Sequence, residues 1–398
     1  MVMWQSLHDA WWRLATQSHP RSLSDALACR VLQSGSLAYR GAVTLRNAAY
    51  DRGWIRQVQL PCAVVSVGNV TVGGTGKTAC VELITRKLAA LNRRVAVLSR
   101  GYGGARRDYW LRWEHGRLLV NGESAQTRDG FAPFELQRIP FEAIRTGLAD
   151  EPQLLARHLD GVPILVGARR DRTGEAACTA FGADVVVLDD GFQHRRVRRD
   201  CDIVLVHARM PFGGWAVLPR GPMREPLASL KRAHIMIVTK ADEALETLSA
   251  LGERLRSLNP DAELVTAVHE PSDLIDGLTG ARHDPQRLNG LRVGLLSSIG
   301  DPEGFEATVR RLSATVIWHR AFPDHHRYQA ADWAAFLKTM QGSRPDAVVT
   351  TEKDWVRLQR WQVASGKWQV PLWVLGVRMK ILSGEEALDA RLARLRAR

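Results

Sequence analysis

A glycine-rich stretch near residue 75 carries the clearest chemical signal in this chain. The apolar residues 64–67 are followed by GGTGKT at residues 73–78, and a helical pattern begins at Ala79. Glycines let backbone N–H groups converge on phosphate oxygens, and the helix that follows adds a positive dipole. In such loops the lysine reaches the β- and γ-phosphates of a nucleotide, and the threonine hydroxyl ligates Mg²⁺. The predicted nucleotide-binding residues are Thr71, Val72, Gly73, Gly74, Thr75, Gly76, Lys77 and Thr78.

The loop departs from its usual form at one position, six residues before the lysine, where a glycine is expected. Thr71 occupies that position. An ordinary glycine-rich turn is the alternative interpretation. The complete strand–loop–helix setting around GGTGKT favours a phosphate site.

Two acidic pairs lie where a phosphate-loop enzyme needs carboxylates. Asp189 and Asp190 end an apolar run, and a carboxylate at such a strand end completes a Mg²⁺ shell. The alternative is that they cap the following turn. Asp150 and Glu151 precede a helical segment, where an ionised Asp can orient and deprotonate an attacking hydroxyl. Taken alone, this second pair is more simply explained as an acidic helix cap.

Three further motifs lie at predicted strand ends. Arg100 and Tyr102 suit a phosphorylated or sugar-like ligand, because ligands of open α/β sheets bind outside the carboxyl ends of strands. The adjacent histidines in DHHRY (324–328) point apart on regular structure, so a proton carrier is favoured over a zinc site. The polar cluster TTEKD occupies residues 350–354.

The sequence TKAD at residues 239–242 resembles the NKxD element with which GTPases recognise guanine. A GTPase also carries DxxG at the strand that supplies its Mg²⁺ carboxylate. Here the residue three before Gly191 is Leu188, so that element is missing. The absence of DxxG beside TKAD argues against guanine specificity.

An α/β scaffold must position these residues. Apolar runs without alternation, as in a parallel sheet covered on both faces, occur at 63–67, 95–98, 163–166, 184–188, 202–206 and 235–238, with helical patterns between them. We therefore expect a phosphate-loop (RecA-like) doubly wound α/β sandwich. Similar runs at 264–268, 293–296, 315–318, 347–350 and 372–375 predict a second, smaller α/β domain. The expected division is 57–272 for the nucleotide-binding domain, 273–290 for a linker and 291–398 for the smaller domain, with a hairpin at 109–111 and 118–120.

Residues 1–56 are expected to form an amphipathic helical segment. Leu23, Leu27 and Val31 recur at helical spacing among seven arginines and six aromatic residues. Such a surface suits the headgroup region of a membrane, although packing on the protein's own domain is the commoner fate of this pattern. Arginines interrupt every apolar run here well below the ~20 residues of a membrane span, so we expect neither a span nor a secretory signal.

Bulk composition limits the class of protein. The 398 residues, 45% hydrophobic and 24% charged, are sufficient for one large or two medium domains. The five cysteines form no CxxC pair and are expected to be reduced thiols. A net charge of +13 indicates anionic partners, whether nucleic acid, a membrane surface or phosphorylated substrates.

Together the motifs resemble one family, the tetraacyldisaccharide 4′-kinases, or lipid A 4′-kinases, of Gram-negative bacteria. They keep that family's order and extend over most of the chain. Two positions depart from the family pattern: Ala79 replaces a usual proline, and Ala149 a frequent glycine. The motifs are SVGNVTVGGTGKT (66–78), SRGYGG (99–104), DEP (150–152), VLDDGFQHR (187–195), LPRGPMREP (218–226), TKAD (239–242), FPDHHRY (322–328) and TTEKDWVRL (350–358).

The resemblance implies transfer of the γ-phosphoryl group of ATP, with Mg²⁺, to the 4′-hydroxyl of a tetraacyldisaccharide 1-phosphate in lipid A biosynthesis. By position, Asp150 is implied to be the catalytic base with His325 as its partner, and Lys77 to assist catalysis. The implied Mg²⁺ residues are Thr78, Glu151, Asp189 and Asp190, and the implied substrate-binding residues are Asn69, Arg100, Tyr102, Gln193, His194 and Glu225.

The resemblance further implies a peripheral protein at the cytoplasmic face of the inner membrane, bound to its anionic surface through residues 1–56. Neither nucleic acid nor an obligate protein partner is expected. Two other classes remain as alternatives. A membrane-associated regulatory NTPase of the MinD-like type carries an extra lysine where this chain has Val72. A nucleic-acid-dependent ATPase would explain the charge, but no recognised nucleic-acid module occurs.

Overall fold

A single mixed sheet forms the framework of the chain. The computed structural model describes Trp11, Ala15 and residues 22–102, 104, 108–114, 117–122, 148–324, 326, 328–365 and 370–396. Its 14 strands lie in the order β12-β11-β13-β14-β9-β8-β7-β1-β6-β2-β5-β3-β4, with β10 beside β9. The strands are β1 Ala63–Asn69, β2 Val95–Ser99, β3 Tyr109–Glu114, β4 Arg117–Gly122, β5 Ile164–Val166, β6 Val185–Asp189, β7 Cys201–His207, β8 Ile235–Thr239, β9 Glu263–Asp276, β10 Arg282–His283, β11 Arg292–Ser297, β12 Thr315–Ala321, β13 Ala347–Thr351 and β14 Leu372–Ser383.

Helices connect and cover the strands. Short 3₁₀ turns lie at Leu227–Arg232, Ala241–Glu243 and Pro285–Leu288. The α-helices are α1 Leu23–Asp51, α2 Lys77–Ala90, α3 Asp150–His158, α4 Arg170–Phe181, α5 Leu245–Leu258, α6 Pro302–Arg311, α7 Ala330–Ser343, α8 Glu352–Ser365 and α9 Glu385–Ala393.

The sheet consists of two parallel halves that run in opposite directions. Strands β9, β8, β7, β1, β6, β2 and β5 are mutually parallel, and the β3–β4 hairpin adds antiparallel strands at their outer edge. Strands β14, β13, β11 and β12 are parallel to one another. We call these sets the amino-terminal and carboxyl-terminal half-sheets. They meet where β9 pairs antiparallel with β14.

The β9–β14 ribbon makes the carboxyl ends of the two half-sheets face each other. Strand β8 pairs with the first residues of β9, whereas β13 pairs with the first residues of β14. Because Thr266 pairs with Ser383 and Asp276 with Trp373, these starts lie at opposite ends of the ribbon. Each half-sheet therefore runs along the ribbon toward the other. Ligands of parallel sheets bind at carboxyl ends, so the fold creates one shared site between the halves.

Burial on both faces explains the apolar runs in the amino-terminal half-sheet. All seven residues of β1 are buried. Val65 and Val67 lie in the core that α2 closes with Ile84, whereas Val64 belongs to the opposite core with Ala177 of α4. Successive strand residues point to opposite faces, and helices cover both. This arrangement confirms the predicted α/β class and the hairpin at 109–111 and 118–120.

The structure corrects the extent of two strands. The apolar runs at 264–268 and 372–375 predict short parallel strands, but the observed β9 and β14 continue to Asp276 and Ser383 and pair antiparallel. The stretch 273–290, expected to be a linker, contains the end of β9, strand β10 and a 3₁₀ turn. The division into domains at 272 and 291 stays a prediction.

Helix α1 has one docked face and one exposed face. Its docked side chains bond to residues of the 217–225 segment: Ser36 Oγ to the Val217 carbonyl at 2.8 Å and Tyr39 Oη to the Arg224 carbonyl at 2.9 Å. On the other side, Leu23 is 92% exposed, and Leu27 and Val31 are each 66% exposed. Packing on the protein's own domain therefore occurs along one face of α1, whereas the other face presents apolar side chains to solvent. Within the described residues, no helix combines the length and the apolar character needed to cross a bilayer.

Replacing Gly68 by alanine should destabilise the fold. A Cβ atom at Gly68 meets both the Cβ and the backbone nitrogen of Phe192 at 2.7 Å, and Phe192 is fully buried. We expect Gly68→Ala to lower the free energy of unfolding by about 1–3 kcal/mol, as overpacking does. Gly41→Ala in α1 is the matched control, since nothing lies within 4 Å of its added Cβ. In a helix interior that change should stabilise by about 0.5–1 kcal/mol. Urea unfolding of both variants checks this, and equal shifts would contradict it.

Candidate functional site

A cavity of about 1330 Å³ lies between the facing carboxyl ends of the half-sheets. The phosphate loop after β1 and the ends of β2 and β6 line it from the amino-terminal half. The ends of β12 and β13 and the segment after β11 line it from the other half. Both halves therefore contribute polar groups to one space.

The phosphate loop has the glycine geometry that its sequence predicts. Gly73 and Gly76 have φ angles of 113° and 81°, a region that disfavours side chains. Gly76 precedes α2 as its N-cap residue, so the helix begins at Lys77. A Cβ atom at Gly76 would meet the His269 ring of β9 at 2.4 Å. The loop is thus closely packed against the ribbon as well as open to the cavity.

Lys77 is held from behind the loop by a polar residue of β1. Its Nζ donates to Asn69 Oδ1 at 3.3 Å and lies 3.7 Å from Asp190 Oδ1. Asn69 Nδ2 in turn donates to Thr75 Oγ1 at 3.0 Å. Burial lowers the pKa of Lys77, and the Asp190 carboxylate opposes that effect. Lys77 is thus directed to the end of β6, where phosphate charge would be neutralised.

The two acids at the end of β6 differ in their proton affinity. Burial raises the pKa of Asp189 to about 6, helped by the neighbouring charges of Asp190 and Glu151. Ser99 Oγ donates to Asp189 Oδ2 at 3.0 Å. Burial also acts to raise the pKa of Asp190, but Lys77 and Arg224 outweigh it and hold that pKa below its ordinary value. Arg224 Nη1 donates to Asp190 Oδ2 at 2.8 Å.

The acids of α3 are paired with cations of α8. Asp150 Oδ2 accepts from Arg357 Nε at 2.7 Å, and Glu151 Oε1 lies 3.0 Å from Lys353 Nζ. Lys353 also contacts Asp324, at 3.2 Å. As both acids begin α3, they also lie at the positive end of its dipole, as their sequence position predicts.

The carboxylates around the loop suit a hard divalent cation. Thr78, Glu151, Asp189 and Asp190 all line the cavity and offer oxygen atoms, the ligands that Mg²⁺ prefers. Burial, together with repulsion by Asp190 and Glu151, raises the pKa of Asp189. A cation among them would relieve that repulsion, so the predicted metal residues fit the ion.

The predicted substrate residues fall into two groups. Arg100, Tyr102, Gln193 and His194 line the cavity, and Tyr102 is 73% exposed. Gln193 Nε2 donates to the backbone carbonyl of Asn69 at 2.9 Å, while the backbone carbonyl of Gln193 accepts from Arg46 of α1. Burial, aided by the positive charge of Arg170, lowers the pKa of His194 to about 4, so this ring is neutral at pH 7.

The other group is buried. Asn69 and Glu225 are fully buried and do not line the cavity. Glu225 Oε2 accepts from Asn47 of α1 at 2.8 Å and from Arg232 at 2.9 Å, so it holds α1 in place. The substrate-binding role of both residues stays a prediction. Thr71, 6% exposed, likewise lies behind the loop. His325 lies outside the described residues; its neighbour Asp324 lines the cavity, and His326 bonds to Asp332 at 2.8 Å.

Sequence reasoning missed several cations of the site. Arg224, Lys353 and Arg357 lie within the quoted motifs LPRGPMREP and TTEKDWVRL, but the residues alone gave them no role. The sequence signal that could have identified them is a cation next to a predicted strand end or helix start. Their acidic partners lie far away in the sequence, 207 residues for Arg357 and Asp150.

The chain was compared with known proteins. The family model described as "Tetraacyldisaccharide-1-P 4'-kinase" matches residues 28–127 and 137–396. A tetraacyldisaccharide 4'-kinase of Syntrophus aciditrophicus (strain SB) is 41% identical over 358 residues, 88% of this chain and 89% of the relative. One of Anaeromyxobacter sp. (strain K) is 40% identical over 387 residues, covering 97% and 94%. A crystal structure of LpxK from Aquifex aeolicus, titled as an "apo" form in complex with ATP, superposes with a TM-score of 0.67 at 26% identity, covering 92% of this chain and 99% of that one.

The raised pKa of Asp189 predicts a pH-dependent gain in stability for Asp189→Asn without metal. A carboxyl group that binds its proton more tightly in the folded state destabilises the fold when pH rises through its folded pKa, here about 6 against 3.8. We expect the variant to raise the free energy of unfolding by about 2 kcal/mol at pH 8 and by about half as much at pH 5. Denaturation in EDTA at both pH values checks this. The exposed Asp261→Asn is the control, and a gain that ignores pH would contradict the prediction.

Proposed function

This chain belongs to the tetraacyldisaccharide 4′-kinase family and is a phosphotransferase of lipid A biosynthesis, and we propose that its cavity brings ATP and the lipid hydroxyl together between the half-sheets. One observation carries the proposal. Lys77 of the phosphate loop and Glu151 of α3 line a single cavity, and Asp150 precedes Glu151 at the start of the same helix. Groups of the opposite charge hold all three side chains in place.

ATP is the proposed co-substrate of the loop. Backbone N–H groups of residues 73–78 and the start of α2 bind its phosphates, and Lys77 contacts the β- and γ-phosphates. The Aquifex aeolicus structure, which is a complex with ATP, supports this choice of nucleotide.

Thr78, Asp189, Asp190 and Glu151 are the proposed Mg²⁺-holding residues. A bound Mg²⁺ would neutralise charge on the β- and γ-phosphates. Of these residues, Asp190 is already ionised through its contacts with Lys77 and Arg224, whereas Asp189 gives up its proton more readily next to a cation.

Asp150 is the proposed general base. Its carboxylate takes the proton of the 4′-hydroxyl as that oxygen attacks the γ-phosphorus; the bond to the β–γ bridging oxygen breaks and ADP leaves. Such transfer needs mainly positioning and stabilisation of charge, which fixed groups on both sides supply. His325 is proposed as the partner of Asp150, on the family resemblance.

The disaccharide is proposed to lie between α1 and the end of β2. Arg100 and Tyr102 line the cavity there, Gln193 and His194 lie beside them, and Arg46 of α1 bonds to Gln193. Arginines suit a phosphorylated sugar because the guanidinium binds phosphate bidentately. Asn69 and Glu225 are proposed to support the loop and α1 instead of binding substrate.

The exposed face of α1 is the proposed membrane contact. Leu23, Leu27 and Val31 present apolar surface, and arginines flank them, which suits an anionic lipid surface. The protein is therefore proposed to bind peripherally at the cytoplasmic face of the inner membrane, where its acylated substrate lies. The MinD-like switch is not favoured, because curated relatives across most of the chain are kinases.

Asp150→Ala should lower kcat about 10²–10⁴-fold, the usual contribution of a general base. The measurement is transfer of label from radiolabelled ATP to the purified disaccharide 1-phosphate in detergent, with thermal unfolding as the check on folding. Asp261→Asn, an exposed acid outside the cavity, is the control and should retain its rate. A rate for Asp150→Ala within about threefold of wild type would disprove the assignment.

The triple variant Leu23→Ser, Leu27→Ser and Val31→Ser should bind anionic vesicles about 10–100-fold more weakly, because each lost side chain removes part of the ~1.5–3 kcal/mol of full apolar burial. Co-sedimentation with vesicles of phosphatidylglycerol and phosphatidylethanolamine measures this. The control is a triple variant at exposed apolar residues elsewhere, namely Leu245→Ser, Leu278→Ser and Leu382→Ser, 70%, 58% and 53% exposed. Equal losses for the two triple variants would refute α1 as the contact.

A further inference from the structure

Among the side chains that the structure describes, three ion pairs join α3 of the amino-terminal half to α8 of the carboxyl-terminal half. Two lie at the start of α3, where Asp150 meets Arg357 at 2.7 Å and Glu151 meets Lys353 at 3.0 Å. The third lies at the other end of α3, where His158 Nε2 meets Glu352 at 2.9 Å. Both ends of α3 are thereby fixed against one helix that begins directly after β13.

The His158 pair is a permanent charge contact. Its other ring nitrogen, Nδ1, lies 2.7 Å from Glu82 of α2, so two carboxylates flank the ring. Burial alone would lower the pKa of His158, but the hydrogen bonds to Glu352 and Glu82 outweigh it and raise the pKa to about 10. The imidazolium therefore ties α8 to α2, the helix of the phosphate loop, as well as to α3.

The Arg357 side chain is held within the carboxyl-terminal half by contacts other than the one with Asp150. Its side chain is 7% exposed, and Nη1 donates to Ser298 Oγ at 2.6 Å. Asp354, fully buried, lies 3.6 Å from the same nitrogen and accepts from the Ser298 backbone at 2.9 Å and from Tyr328 at 3.1 Å. The guanidinium is thus built into the carboxyl-terminal half and presents Nε to Asp150 of α3.

We propose that Arg357 is the positioning residue for Asp150, delivered by α8, so that the acid takes its reactive orientation only when the carboxyl-terminal half is docked on α3. This inference rests on the proposed role of Asp150 as general base. A guanidinium donates in a fixed plane, so its contact through Nε sets both the place and the tilt of the carboxylate. Groups that orient a reacting side chain commonly contribute 10–100-fold, and an error of about 1 Å in a reacting group has a similar effect.

The role differs from that of a simple link between the halves. An ion pair that only joins the two halves would affect the stability of the protein or its affinity for substrate, and this effect would not depend on Asp150. A positioning residue acts on kcat and acts through its partner. A double-mutant cycle in kcat separates the two, because the effect of the first residue disappears once the second is removed.

The test uses Arg357→Lys, which keeps the charge beside buried Asp354 but cannot contact both Asp150 and Ser298 in the same geometry. We expect kcat to fall about 10-fold, with KM for ATP and lipid within about threefold of wild type. Arg357→Gln should lower kcat about 30–100-fold, so that the lysine recovers part of the loss. Arg310→Lys is the matched control, since the Arg310 guanidinium bonds to Glu306 on the surface of α6, far from the acids of α3 in the sequence.

The cycle adds each Arg357 change to Asp150→Asn in the full-length protein, with the labelled-lipid assay as readout. We expect the residual rate of Asp150→Asn to change less than about twofold. If Arg357→Lys lowers that residual rate by the same factor as in wild type, or leaves wild-type kcat unchanged, the inference is overturned. A single variant Asp150→Asn with wild-type rate would instead overturn the proposed base, which keeps the two failures distinct.

Thermal unfolding identifies variants that fail to fold. For that case Ser298→Ala serves as a second probe, because it removes the hydroxyl that anchors Nη1 and leaves every charge in place. It should lower kcat about three- to tenfold in wild type and leave the residual rate of Asp150→Asn unchanged. An unchanged kcat for Ser298→Ala, with the protein folded, counts against the proposal.

Discussion

The antiparallel pairing of β9 with β14 determines where the reactive side chains of this chain lie. A parallel half-sheet alone exposes its carboxyl ends on one edge, and loops there face solvent. Because the ribbon holds a second half-sheet that runs the opposite way, two such edges face each other. The phosphate loop, the acids of β6 and Glu151 of α3 thereby line one cavity together with Lys353 of α8, although these residues lie far apart in the sequence.

Opposite charges organise that cavity on both sides. Lys77 and Arg224 hold Asp190 ionised, while Arg357 and Lys353 hold Asp150 and Glu151. Asp150, Glu151 and Asp190 are therefore each paired with a cation before any ligand binds. Preorganisation of this kind is what phosphoryl transfer requires, since solvent need not rearrange during the reaction. Asp189 is the exception, and its raised pKa reflects its burial first and the neighbouring charges of Asp190 and Glu151 second.

Features formed by neighbouring residues were predictable from the sequence, and features formed by distant ones were not. The loop, the acids at the end of β6 and the parallel strands follow from local pattern, because strand end and chemistry coincide there. The full length of β9 was not predictable, because Pro271 and its polar neighbours resemble a loop in the sequence. Pairing with β14 holds them extended. The positions of Asn69 and Glu225 were not predictable either, because burial and long-range hydrogen bonds, which no local pattern encodes, place both residues away from the cavity.

The apolar residues behind the two faces of the cavity belong to different clusters, although Leu274 of β9 and Met379 of β14 each pack in the cluster of the other half. Ion pairs therefore carry the contacts between α3 and α8. Leu295, Val309 and Trp373 pack within the carboxyl-terminal half, whereas Val65, Ile84 and Leu155 pack within the other. Separating the faces of the cavity would therefore expose charged groups, which water solvates, and would open neither core. Such contacts contribute less to stability than apolar burial does, and polar interfaces between parts of one chain are typical of parts that move relative to each other. Ion pairs such as Asp150–Arg357 and Glu151–Lys353 can break and re-form without exposing apolar surface. The proposed entry of a nucleotide and an acylated sugar between the halves would therefore leave the apolar clusters intact.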